Sequence, residues 1–147
     1  MENNLETLLN SQQYKKLYER MLLPISQKYH VTKIEIEILL FLHRNQSHDT
    51  AKDIVELKSY TKSHVSKAID LLIKSEYIIG RLDTHDRRSV HLKLAPKAQM
   101  IVEEAMDMRH QFFDTLYKGL SHEEIQVMNH LVKKIVSNIK EALETEV

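Results

Sequence analysis

Residues 50–94 read TAKDIVELKSYTKSHVSKAIDLLIKSEYIIGRLDTHDRRSVHLKL, and the order of patterns inside this stretch decides the fold. Two segments with helical spacing come first. The earlier one, about 51–58, carries Ala51, Ile54, Val55 and Leu57. The later one, about 62–75, repeats Val65, Ala68, Ile69, Leu72 and Ile73 at intervals that line one helix face. Only Lys58-Ser59-Tyr60-Thr61 separates the two. The period then drops from 3.6 to 2. In Val90-His91-Leu92-Lys93-Leu94 apolar and polar residues alternate, which suits a half-buried strand, and Ile78-Ile79-Gly80-Arg81-Leu82 supplies its partner. The connection Asp83-Thr84-His85-Asp86-Arg87-Arg88-Ser89 is polar throughout, so a hairpin with a charged tip is expected. Helix, short turn, helix and hairpin together spell a winged helix-turn-helix.

Working outward, helix starts are written as hydroxyl caps three residues before a carboxylate. Thr32 with Glu35, Thr50 with Asp53 and Ser121 with Glu124 each fit a capping box, in which two side chains satisfy exposed backbone N–H groups. Thr61 is a fourth cap, with His64 at the third helical position. A first helix of about 5–28 is expected to kink or end at Pro24. A helix of about 33–44 buries Ile34, Ile38, Leu39 and Leu42. One long helix runs from near Pro96 to near Gly119, and the last spans about 122–144 through Ile125, Met128, Leu131, Val132, Ile135, Val136, Ile139 and Leu143.

Composition narrows the choices. With 147 residues the chain suits one domain, 1–147, with sub-regions 1–30, 31–95 and 96–147. Two Gly and two Pro leave too few breakpoints for an all-β fold with many tight turns. The expected class is mainly α with a small β-hairpin wing, set between long N- and C-terminal helices. Zero Cys excludes disulfides, thiolate zinc sites and thiol-based redox sensing. No apolar run is long enough to span a membrane, and the acidic start Met1-Glu2-Asn3-Asn4-Leu5-Glu6 lacks the basic residues of a secretory signal. A cytoplasmic location is expected, with no membrane partner.

The balance of 21 Lys+Arg against 21 Asp+Glu conceals an uneven distribution. Residues 50–97 hold ten basic against six acidic groups, a net +4; residues 98–147 hold five against nine, a net −4. The basic excess coincides with the winged helix. Lys58, Lys62 and Lys67 lie in ten residues without an acid, next to the positive end of a helix dipole. With Val65, Ala68, Ile69 and Leu72 turned inward, Ser63, His64, Ser66, Lys67 and Asp70 point outward. The first two turns of such a helix reach base edges when it enters a major groove end-on. Arg87 and Arg88 at the hairpin tip suit a narrow minor groove, and Asp86 is placed to pair with Arg88 and hold the tip in one shape. The expected DNA-contacting set is Lys58, Thr61, Lys62, Ser63, His64, Ser66, Lys67, His85, Arg87 and Arg88, with Asp86 stabilising the wing.

Over nearly its whole length the chain resembles the MarR family of bacterial transcription regulators. The likeness rests on Ala51-Lys52-Asp53-Ile54 followed by Lys62-Ser63-His64-Val65-Ser66-Lys67, and on Asp83-Thr84-His85-Asp86-Arg87-Arg88 followed by Leu92-Lys93-Leu94. It implies a homodimer built by the first and last two helices, Arg88 as the minor-groove residue, and a cavity for a small-molecule effector between the dimerisation helices and the reading head. Tyr14, Tyr18, Tyr29, His30 and Phe41 are candidates to line that cavity, or are plain core. The chain departs from the family at Glu76, where Gly is frequent, and at Ala95, where a Ser or Thr cap is usual.

The expected function is therefore a DNA-binding regulator, a repressor, acting as a homodimer on double-stranded DNA. Two other readings stay open: a zinc- or other metal-responsive regulator of the same fold, and a winged-helix protein-interaction module without DNA binding. No His pair has the spacing of a helical metal site, and the nearest carboxylates to His110 are Asp107 and Asp114, so no metal ligands and no cofactor are assigned. No nucleophile–base set or phosphate-binding Gly loop occurs, so no enzyme is expected.

Overall fold

The computed structural model describes residues 4–145, so Met1, Glu2 and Asn3 of the acidic start, and residues 146–147, lie outside it. Nine regular elements follow one another: α1 (Asn4–Leu9), α2 (Gln12–Tyr29), α3 (Lys33–Arg44), α4 (Ala51–Lys58), α5 (Lys62–Lys74), β1 (Ile78–Leu82), β2 (Val90–Leu94), α6 (Gln99–Leu116) and α7 (His122–Thr145). A short 3-10 turn, Pro96–Ala98, leads into α6. The chain divides into two compact units, residues 1–110 and 111–147.

The winged helix emerges as the sequence pattern demands. Thr50 caps α4 with a complete capping box: the Asp53 backbone N–H donates to Thr50 Oγ1, and the Thr50 backbone N–H donates to Asp53 Oδ2. Thr61 caps α5 by accepting the His64 backbone N–H. Val65, Ala68, Ile69 and Leu72 form its buried stripe, each large side chain contributing about 1.5–3 kcal/mol by leaving water. The strands pair antiparallel, Ile78 opposite Leu94 and Leu82 opposite Val90, so Ile78 and Leu92 face the core. The expected place of Leu57 in the α4 stripe falls outside the described side chains.

Between α5 and β1 the chain turns through Glu76, which takes a left-handed φ of 63°. The Glu76 N–H donates to Ile73 O and the Tyr77 N–H to Leu72 O, the paired bonds that close a helix with a left-handed residue just beyond its end. A Cβ is strained there, which gives a physical reason for Gly to be favoured. Replacing Glu76 with Gly is expected to raise the unfolding free energy by about 0.5–1 kcal/mol, measured by urea titration. Ala95, the other departure, precedes the 3-10 turn without offering a side-chain cap.

Two expectations change, and a third, for the apolar stripe of α7, is narrowed. The N-terminal helix breaks at Asn10–Ser11, not at Pro24, and α2 continues through the proline to Tyr29. Ser11 leaves the helix with extended backbone, in keeping with the tendency of Asn and Ser side chains to compete for backbone hydrogen bonds. Secondly, α3 is buried around most of its circumference: Ile36, Phe41 and even Glu35 and Glu37 are enclosed along with the expected Ile38, Leu39 and Leu42, whereas Ile34 is only half-buried. Thirdly, α7 buries none of its side chains within the chain. Leu131, Val132, Ile135, Val136, Ile139 and Leu143 form an exposed apolar stripe. Its start is nonetheless well made, since Ser121 and Glu124 form the expected capping box.

Candidate nucleic-acid interface

The outward face of α5 is set by its buried one. With Val65, Ala68, Ile69 and Leu72 inside, Lys62, Ser63, His64, Ser66 and Lys67 are all exposed. Thr61 is exposed as well, but its hydroxyl serves as the cap. No ion pair among the described residues engages Lys62, Lys67, Arg87 or Arg88. The first N–H groups of α5 and these cations therefore present positive charge to solvent.

Lys58 behaves otherwise. Its ammonium turns inward, 3.4 Å from Glu37 Oε2. Glu37 is buried on α3 and also accepts a hydrogen bond from the Tyr18 hydroxyl, with Arg109 Nη1 at 3.9 Å. Burial, then the Glu37 carboxylate, push the Tyr18 hydroxyl well above the ordinary tyrosine range, so it stays a proton donor at neutral pH. Four elements, α2, α3, α4 and α6, thus meet at one buried carboxylate. The cluster has no counterpart in the sequence reading, because its members lie far apart along the chain.

The wing tip is ordered by Asp86, though not through the expected pairing with the Arg88 guanidinium. Asp86 Oδ1 accepts the Arg88 backbone N–H at 3.0 Å and Oδ2 accepts from Ser89 Oγ at 3.3 Å. The Ser89 N–H returns to Asp86 O, and the Asp83 N–H donates to Ser89 O, closing the tip. Such local bonds fold the turn while leaving the guanidinium outward. Arg88 shares an open groove of about 300 Å³ with Lys52 of α4 and Ser66 and Asp70 of α5, so the tip and α5 border one surface. Lys52 is a cation that the sequence reading left out. A second open cleft, about 450 Å³, flanks the other side of α5 between Lys33, Tyr60, His64, Lys67 and Leu71.

The residues considered for an effector cavity are dispersed. Tyr18 bonds Glu37, the Tyr29 hydroxyl donates to Glu104, Phe41 is core, His30 closes α2 in a left-handed conformation, and Tyr14 is half-exposed. Among the described residues no three His, Asp or Glu stand together as a metal site, and no helix is long and apolar enough to cross a membrane.

Residues 31–89, from the start of α3 to the end of the wing tip, match the MarR family model. Over this stretch the chain is similar to the MarR family. Two curated relatives from Bacillus subtilis (strain 168) agree: the uncharacterized HTH-type transcriptional regulators YwaE, 25% identical over 88 residues, and YsmB, 26% identical over 78 residues. The matched stretches cover 60% and 53% of this chain and span about half the length of those relatives, 52% and 53%. In fold the likeness extends further. A MarR protein from Peptoclostridium difficile DA00132 superposes with a TM-score of 0.81 at 18% identity, covering 97% of this chain and 91% of that one. Bordetella bronchiseptica BpsR, whose DNA binding is regulated by 6-hydroxynicotinic acid, gives 0.70 at 20% identity, covering 91% and 99%. The fold of this chain is that of these solved MarR proteins.

Proposed function

We propose that the chain is a DNA-binding transcription regulator working as a homodimer, with the whole of 1–147 acting as one functional domain. The observation that carries this reading is the outward cluster on α5, Lys62, Ser63, His64, Ser66 and Lys67, whose Ser66 shares a groove with Arg88, its lysines left without ion pairs among the described residues. Groups of this kind reach base edges from a major groove, while an arginine on a wing suits the adjacent minor groove. Self-association is supported by the exposed stripe of α7 and by Leu5, Leu8 and Leu9 of α1, apolar surface that one copy leaves in water. Two-fold symmetry then calls for a pseudopalindromic operator, its half-sites about 10 bp apart or a multiple of that. A small-molecule effector joins the proposal by analogy with BpsR alone.

Fluorescence anisotropy with random duplex DNA at low salt, paired with equilibrium sedimentation, tests both parts. The expected result is a two-chain species that binds duplex and loses it steeply as salt rises. A folded dimer that ignores DNA would overturn the regulator reading in favour of a protein-interaction module.

A further inference from the structure

Besides the core contacts of Ile78 and Leu92, a polar link ties the wing to the loop between α3 and α4. The loop between α3 and α4 brings Asp49 alongside β2, where its carbonyl accepts the Leu92 N–H at 2.8 Å, much as a third strand would. The Asp49 carboxylate reaches further: its Oδ1 lies 2.6 Å from His91 Nδ1. On the opposite side of the ring, His91 Nε2 is 3.8 Å from Oδ1 of Asp83, the first residue of the wing tip. Asp83 in turn helps close the tip, its carboxylate accepting the His85 N–H and its own N–H bonding Ser89 O. One imidazole therefore stands between the loop that leads into α4 and the loop that carries Arg87 and Arg88.

We propose that His91 is a positioning residue for DNA contact, holding the wing at a fixed angle to α5, and that its doubly protonated form holds the wing best. This rests on the DNA-binding reading above. A neutral imidazole has one N–H. Given to Asp49, it leaves the bare Nε2 lone pair facing the Asp83 carboxylate, and the tip loses its link to the loop. The imidazolium donates to Asp49 from Nδ1 and turns a positively charged Nε2–H toward Asp83 as an ion pair at 3.8 Å. A proton thus acts as a ligand that favours the docked wing by its differential affinity.

Charges from every neighbouring element bear on the ring. Arg81 stands directly opposite His91 in the ladder, and Lys93 follows two residues along β2; both disfavour the imidazolium. His43, at the end of α3, lines a cleft with Asp49 and Lys93. The two carboxylates prevail. The bond to Asp49, opposed by desolvation and aided by Asp83, raises His91 above the ordinary histidine range. The folded form is thus the better proton acceptor. The staple is complete below the ordinary histidine pKa and is lost as pH rises through the raised value.

The test is duplex-DNA affinity at constant ionic strength for the full chain and for His91→Gln, which keeps one donor toward Asp49 and cannot titrate. From about pH 6 to about pH 8.5 the unmodified chain is expected to lose about threefold to tenfold in affinity beyond the loss shown by His91→Gln, since one linked proton limits the effect to tenfold per pH unit. Comparison within the pair cancels every contribution that the two proteins share. Asp83→Asn, with Asp49 intact, should flatten the profile in the same way. Parallel profiles for His91→Gln and the unmodified chain would overturn the proposal even if the variant bound more weakly. Failure of the unmodified chain to bind DNA at any pH would instead remove the DNA-binding reading itself. Thermal melts of both variants at each pH establish that only folded protein is compared.

Discussion

Glu37→Ala is expected to lower the unfolding free energy by about 3 kcal/mol, because removing one member of a buried ionic cluster strands the others. Glu37 is 6% exposed and is the meeting point of Tyr18, Lys58 and Arg109. Its loss leaves the Lys58 and Arg109 cations in a partly enclosed site and the Tyr18 hydroxyl without that acceptor, while Arg109 Nε is already buried with no hydrogen-bond partner among the described residues. For a domain whose total stability is on the order of 5–15 kcal/mol, that is a large fraction. Urea titration followed by circular dichroism measures it. Glu37→Gln should cost less, since the amide oxygen still accepts from Tyr18. A change below about 1 kcal/mol for Glu37→Ala would mean that water already serves these groups.

The cluster also marks where sequence reading stops. Helical spacing identified the buried face of α5 at Val65, Ala68, Ile69 and Leu72, though Ile73, counted on the same face, is exposed at the helix end. Alternation identified the strand 90–94, and 78–82, taken as its pairing partner, matches as well. The caps at Thr50, Thr61 and Ser121 were legible because each is local, with donor and acceptor three residues apart. Glu37 obeys no local rule. Within Lys33-Ile34-Glu35-Ile36-Glu37-Ile38 two carboxylates alternate with apolar residues, and burial of both depends on partners 19 to 72 residues away for Glu37 and on the Thr32 hydroxyl for Glu35. The Asp49–His91 contact spans 42 residues and was invisible for the same reason. Asp86 was assigned to the tip from its neighbours, yet the sequence could not say that it would choose the Arg88 backbone over the Arg88 side chain.

Those limits bear on which cations meet DNA, and two substitutions separate the cases. Arg88→Ala should weaken duplex binding about tenfold at moderate salt and lower the slope of log K against log salt by about one, because an outward guanidinium displaces one condensed counterion. Lys58→Ala removes the same formal charge from the same winged helix. The sequence ranks the two alike. In the structure, Lys58 is 29% exposed and committed to Glu37, so its ammonium is already neutralised by a carboxylate before DNA arrives. Its removal should leave the salt slope nearly unchanged while destabilising the fold by exposing Glu37 to an unbalanced buried charge. Measuring both slopes by anisotropy over about 50–200 mM salt, with folding checked at each, distinguishes a charge that binds from a charge that builds. Equal slope changes would mean that Lys58 leaves Glu37 for a phosphate. An unchanged slope for Arg88→Ala would remove the wing from the interface and return the whole electrostatic contact to α5.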